Sequence, residues 1–173
     1  MLARRLLAAA GYSQGFEVEL WVYRERQAAE AIAADLAKVG VRVRLRFVTL
    51  TTLNQARKNR RVPAFFASWE SGSTADTATI AETHWSLKSD RNMSKDEIVA
   101  KQMEAAARTI DPEERKRLYS AALKRIAEQA YWIPLYTYSQ NYLVSNKLAY
   151  PVAKDGLPRL FRARWRADTK ASR

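Results

Sequence analysis

The stretch from Phe16 to Phe47, FEVELWVYRERQAAEAIAADLAKVGVRVRLRF, sets the architecture. At its start Phe16, Val18, Leu20 and Val22 alternate with Glu17 and Glu19, and at its end Val41, Val43, Leu45 and Phe47 alternate with Arg42, Arg44 and Arg46. A period of two sends successive side chains to opposite faces of a strand, so each end reads as a half-buried strand. Between them, over 25–39, Ile32, Leu36 and Val39 fall at i, i+4 and i+7 among alanines, and Gly40 stands where a helix ends most easily in positive φ. Strand, helix and strand at this length make a right-handed parallel crossover. Were the two strands neighbours, Glu17 and Glu19 would lie beside the three arginines, opposite charges being mildly favourable across a strand pair. One sheet face is then polar, which predicts helices mainly on the other face.

On the amino-terminal side, residues 3–10 read as a short helix closed by Gly11. On the other side, residues 50–60 read as another, and Val62 to Trp69 as a third strand whose adjacent Phe65 and Phe66 imply burial on both sides. Ser94 with Glu97 has the spacing of a capping box, opening a helix with Val99, Met103, Ala106 and Ile110 inside. Asp111-Pro112-Glu113-Glu114 opens the next, with Tyr119, Ala122, Leu123, Ile126 and Ala130 as its inner face. Ile133 to Val144 reads as extended chain with Pro134 at its start, and after Tyr150-Pro151 the sequence turns irregular and basic. The fold class is α/β: a mixed sheet with a parallel βαβ start and helices mainly on one face.

Composition narrows the function. The 173 residues contain 30 Lys+Arg against 18 Asp+Glu, one His and no Cys. Without cysteine there is no disulfide, thiolate zinc site, iron–sulfur ligand or cysteine nucleophile. No apolar run approaches the ~18 residues of a membrane span. The opening Met1 to Ala10 imitates a secretion signal, but its apolar part stops at Gly11, so it reads as a helix. The positive excess is concentrated in two patches: Arg42 to Arg61, which has seven basic residues and no acid, and the segment from Leu157 to Arg173.

No Gly-rich phosphate loop, G-x-S-x-G or H-E-x-x-H is present, and His84 stands without a motif around it. Its reading is a surface or helix-end histidine, and nothing points to catalysis, a metal or a cofactor. The basic patches, with Arg57, Lys58, Arg60 and Arg61, leave a competing class open: a basic α/β module holding nucleic acid through phosphates. Trp69, closing a strand ahead of the small-residue loop Glu70-Ser71-Gly72-Ser73-Thr74-Ala75-Asp76, has the placement of an aromatic ligand wall.

The order of segments carries a resemblance. Ala-Gly-Tyr-x-x-Gly-Phe-Glu-Val at 10–18 comes first, then Leu36-Ala37-Lys38-Val39-Gly40-Val41-Arg42-Val43, then Phe65-Phe66-Ala67-Ser68-Trp69 with Asp76 downstream. Thr109 to Tyr119 and Ala130-Tyr131-Trp132-Ile133-Pro134-Leu135-Tyr136 complete it. Together these resemble the carboxyl-terminal lobe of the bacterial extracellular solute-binding proteins of family 5, the peptide-, dipeptide- and nickel-binding receptors of ABC importers, from about residue 3 to 166.

The resemblance implies a type II periplasmic-binding-protein lobe that binds a peptide or similar solute without catalysis. In the family two lobes close on the ligand about a hinge. It places the ligand wall at Trp69, Glu70, Ser71, Gly72 and Asp76. Peptide-binding members often present an acid three positions beyond the tryptophan to meet the ligand's amino group; here that position is Gly72, with Glu70 and Asp76 near enough in sequence to substitute. Residues 1–150 are then the lobe, and 151–173 a basic tail packing on the other lobe or the hinge. The implied partners are the amino-terminal lobe of a longer receptor and the permease subunits, and the location is periplasmic or extracellular and lipid-anchored. The chain reads as a piece of such a receptor, without a leader of its own. The side facing the other lobe, including Trp69, Trp85, Leu157, Leu160, Phe161 and Trp165, is expected to be uncovered and to favour a homodimer.

Overall fold

The computed structural model describes residues 2–70, 76–153 and 155–166. They fall into two units: the residues up to Trp69 together with Thr83–Glu97, and Glu70–Glu82 together with those from Ile98 onward.

The first unit opens with helix α1, Leu2–Ala9, which buries no residue. Strand β1 (Phe16–Val22), helix α2 (Arg26–Ala37) and strand β2 (Val41–Phe47) then form the expected crossover, with β1 and β2 parallel. Helix α3 (Leu50–Lys58) leads to strand β3 (Ala64–Phe66), parallel to β1 on its other edge, so the strand order is β2-β1-β3. The apolar face carries one core, Val22 and Phe66 against Ala29 of α2, with Leu20, Ile32 and Leu45 packed on it.

The other face is polar only in part. Register sets Glu17 beside Arg42, Glu19 beside Arg44 and Trp21 beside Arg46. Glu19 pairs with Arg44 at 3.2 Å and Arg46 at 3.4 Å, and the Trp21 indole N–H donates to it at 2.6 Å. Lost hydration alone would raise the Glu19 pKa; the hydrogen bonds from Trp21 and Arg46 and the charges of Arg46 and Arg44 outweigh it and hold the carboxyl below its usual range. One step along, α3 covers the face with a second core: Trp21, Leu53 and Val62, flanked by Tyr23, Ala56 and Phe65. Helices therefore lie on both faces at this end of the sheet. The alternation of Glu17 and Glu19 hides this, because Trp21 continues their face.

The third strand is shorter than Val62 to Trp69. Only Leu20, Trp21 and Val22 are left on β1 to pair with Ala64, Phe65 and Phe66, and Pro63 has no N–H to extend the ladder. Phe66 is buried in the α2 core, while Phe65 points to the α3 side and is half-buried.

In Thr83–Glu97 the buried Asn92, 2% exposed, ties a loop together. Its Nδ2 donates to the carbonyls of Trp85 at 2.9 Å and Ser86 at 3.3 Å, and its Oδ1 accepts from Lys95 N–H at 2.9 Å and Ser94 Oγ at 3.1 Å. The helix that follows consequently starts at Glu97, not around Ser94: Lys95 sits at φ 51, which no first turn accommodates, and Ser94 faces Asn92.

In the second unit a short helix α4 (Ala78–Ile80) runs into a π turn, Ala81–Trp85, whose last three residues belong to the first unit. Helix α5 (Glu97–Arg108) buries Val99, Ala100, Met103 and Ala106, and α6 (Pro112–Glu128) buries Tyr119, Ala122 and Ile126. Asp111 is the N-cap of α6, accepting Glu114 N–H at 2.7 Å, with Pro112 in the first turn. Three expected inner residues lie outside. Ile110, 95% exposed, follows the end of α5, where helical spacing no longer applies. Leu123 stands one step round from Ala122 and faces solvent, and Ala130, beyond the C-cap at φ 51, is exposed.

Residues 133–144 take part in no strand, with Ile133, Tyr136, Tyr138 and Leu143 exposed. The tail is less irregular than its sequence suggests: β4 (Leu148–Ala149) pairs antiparallel with β5 (Arg164–Trp165) across a 3-10 turn, Leu160–Arg162. Asp155 pairs with Arg159 at 2.5 Å, and Arg159 N–H donates to Tyr150 Oη at 2.8 Å. The Arg159 hydrogen bond pulls the Asp155 carboxyl down to about 2; loss of water opposes it and the Leu157 N–H assists. Phe161 at 74% and Trp165 at 79% exposed, with Leu160, present the bare apolar side that the sequence predicts there. Trp85 does not share in it, being buried against the loop that Asn92 closes.

Candidate functional site

Trp69 ends the segment that β3 begins, and its ring is about one-third exposed. Its position is braced from below. His84 meets the indole edge to face, with ring centroids 4.7 Å apart and planes at 88°. On the preceding residue, Ser68 Oγ shares a 2.9 Å hydrogen bond with Tyr23 Oη at the end of β1 and accepts from Arg24 at 3.2 Å. An edge-to-face pair of this kind adds roughly 0.5–1.5 kcal/mol to the area it covers.

His84 is therefore not the surface histidine of the sequence reading. It does lie toward the end of a helical turn, but buried, because the π turn swings it under Trp69. Burial first, then the nearby charges of Arg57 and Arg91, push its pKa down to about 4, so the ring is neutral at physiological pH.

In the sequence Arg57 is legible only as part of a basic run, yet it is buried. Its guanidinium lies over the Phe65 ring, 4.4 Å from the centroid, and its Nη2 donates to the Arg91 carbonyl at 3.2 Å. The signal is present in the spacing, since Leu53 and Arg57 are one turn apart on the face of α3 that the core occupies. Burial and the charge of Arg91 lower the Arg57 pKa; Asp90 and Tyr23 act in the opposite direction.

Of the remaining residues proposed from sequence, Ser71 and Gly72 lie outside the described residues. Glu70 is exposed at the start of the second unit. Asp76 is in the same unit and has a structural assignment there: its carboxylate accepts from Arg115 at 2.6 and 2.8 Å and from Ala78 N–H at 2.7 Å, fixing the start of α4 to α6. Among the described residues no group of three or more His, Asp or Glu is placed to hold a metal ion, and no helix is long and apolar enough to cross a membrane.

The parallel βαβ start and the strand that follows it make an α/β fold similar to that of periplasmic binding proteins. HbpA2 from Haemophilus parasuis shares this fold at a TM-score of 0.74 over 95% of this chain and 35% of that one, at 22% identity. The dipeptide-binding protein from Pseudoalteromonas sp. SM9913, solved with Met-Leu, is 29% identical, with a TM-score of 0.66 over 75% of this chain and 28% of its own. The glutathione-binding protein GsiB of Salmonella paratyphi A is 28% identical over 153 residues, which are 77% of this chain and 29% of that protein. No family model matches. The chain is similar to these proteins, and it spans about three-tenths of the length of the curated relatives it matches.

Proposed function

We propose that the chain is the carboxyl-terminal, ligand-binding lobe of an ABC-importer receptor for peptides or peptide-like solutes. The observation that carries this reading is the exposed face of Trp69, held rigid by His84 and by the Ser68–Tyr23 bond at the C-terminal ends of parallel strands. Ligands of open α/β sheets bind at that end. Relatives named for glutathione and dipeptide binding support a peptide-like ligand.

In this reading Trp69 is a platform for the ligand, and Glu70, Ser71 and Gly72, which follow it in sequence, are the further ligand contacts. Glu70 is the acid of this loop best suited to a ligand ammonium, since Arg115 already neutralises Asp76. Asp76 anchors the far end of the loop. The exposed Leu160, Phe161 and Trp165 meet a further lobe of the receptor or, in its absence, a second copy of the chain. The receptor works outside the cytoplasmic membrane and hands its ligand to permease subunits.

One lobe covers one side of a ligand, well short of the ~70–90% enclosure of a good pocket, so this chain by itself binds weakly. Calorimetry with dipeptides, tripeptides and glutathione should show dissociation constants weaker than about 10 μM, with heat lost in Trp69→Ala. Heat unchanged by that substitution would overturn the assignment of the wall.

A further inference from the structure

Arg57 is a buried cation with an incomplete set of partners. It is only 6% exposed, its Nη2 meets one backbone carbonyl, and its Nε finds no acceptor among the described residues. Buried guanidinium groups ordinarily face a carboxylate, since an uncompensated charge away from water costs several kcal/mol. Asp90 acts on Arg57 through its charge alone, across a gap. Beside Arg57 is a cleft of about 140 Å³ lined by Asn54, Arg57, Asp90 and Arg91. Its lining carries two cations, one anion and one neutral amide, a net positive charge around a space wide enough for one tetrahedral or planar oxyanion.

We propose that this cleft is an anion site, in which Arg57 and Arg91 hold a small oxyanion, a phosphate or a carboxylate, with Asn54 beside it. The guanidinium of Arg57 is fixed on Phe65 by its cation–π contact, so its donors are oriented before the ligand arrives. A forked donor set matches an oxyanion better than it matches a halide. Asp90 is exposed at the rim and repels the ligand, which makes the site weak and tunable. The cleft is independent of the importer reading, since every lining residue belongs to the first unit and none to the Trp69 wall.

The test is a titration of the isotopically labelled chain with inorganic phosphate, and in parallel with succinate, at constant ionic strength maintained with sodium chloride. The Arg57 Nε–H resonance should shift and saturate at millimolar concentrations of one oxyanion or both, and the tighter of the two identifies the source. Arg91→Gln, at an exposed position, should fold normally and weaken the apparent affinity about fivefold or more; Asp90→Asn should tighten it about threefold or more. Arg57→Met, which keeps the packing on Phe65 and is followed through the Arg91 backbone and Nε–H resonances, should abolish saturation; if that variant does not fold, the Arg91 and Asp90 variants still decide. Shifts equal to those in chloride alone, or equal in Arg91→Gln and the unsubstituted chain, would overturn the proposal. Arg57 would then be a packing residue only.

Discussion

The indole of Trp69 rests edge to face on the imidazole of His84, centroids 4.7 Å apart, so the residue that presents the candidate ligand surface is supported by the only histidine in the chain. The contact ties the end of one strand segment to a π turn that comes well after it in sequence. It also makes the rigidity of the surface dependent on pH.

Because the folded-state pKa of His84 is lowered to about 4 from an unfolded value near 6.5, the unfolded chain binds the proton first on acidification. Stability contributed by the neutral ring is complete above pH ~6.5 and is lost progressively as pH falls toward 4, by up to about 3 kcal/mol. Urea melts between pH 4 and 7 should show this slope, and His84→Gln should flatten it.

Gly15 and Gly40 set the two ends of the crossover against each other. A methyl group built on Gly15 would run into the Gly40 carbonyl, and φ at Gly15 is 72. Gly15→Ala should destabilise the fold by more than about 2 kcal/mol, through backbone clash added to strain. Gly11→Ala, at φ 88 with open space around it, should lose only about 1 kcal/mol. Paired thermal melts separate the two.

Asn92→Ala removes four hydrogen bonds from a buried site and leaves the carbonyl of Trp85 and the N–H of Lys95 without that partner. A loss of about 2–4 kcal/mol is expected from chemical denaturation. Asn92→Asp, which leaves a side chain that only accepts hydrogen bonds when ionised, should be no remedy: the carbonyls of Trp85 and Ser86 still lose their donor.

Asp111→Ala should cost about 1 kcal/mol through the lost N-cap of α6, while Leu123→Lys, on the exposed side of the same helix, should stay within about 0.5 kcal/mol of neutral. Equal losses at both positions would reverse the assignment of the helix face.

Legibility follows the range of the signal. The alternation in Phe16–Val22 and Val41–Phe47, and the cap at Asp111, are local, and the structure follows them. Ile110 and Leu123 depart because a spacing carried past a helix end, or one step too wide around it, still looks apolar. His84, Arg57 and Asn92 are long-range cases. A polar residue is buried when distant elements supply its partners, as Phe65 and Arg91 do for Arg57; its spacing from Leu53 marks the core face of α3, but nothing nearby in sequence announces those partners. Trp69 can be singled out by its place before a small-residue loop; its support by His84 cannot.

A ligand facing Trp69 is detected most directly by an NMR titration of the labelled chain with Met-Leu and with glutathione, following the Trp69 indole N–H and the Glu70 amide. Both resonances should shift together, in the high-micromolar to millimolar range, and Trp69→Ala should remove the response. Shifts centred elsewhere, or none at saturating peptide, would contradict a ligand wall at Trp69.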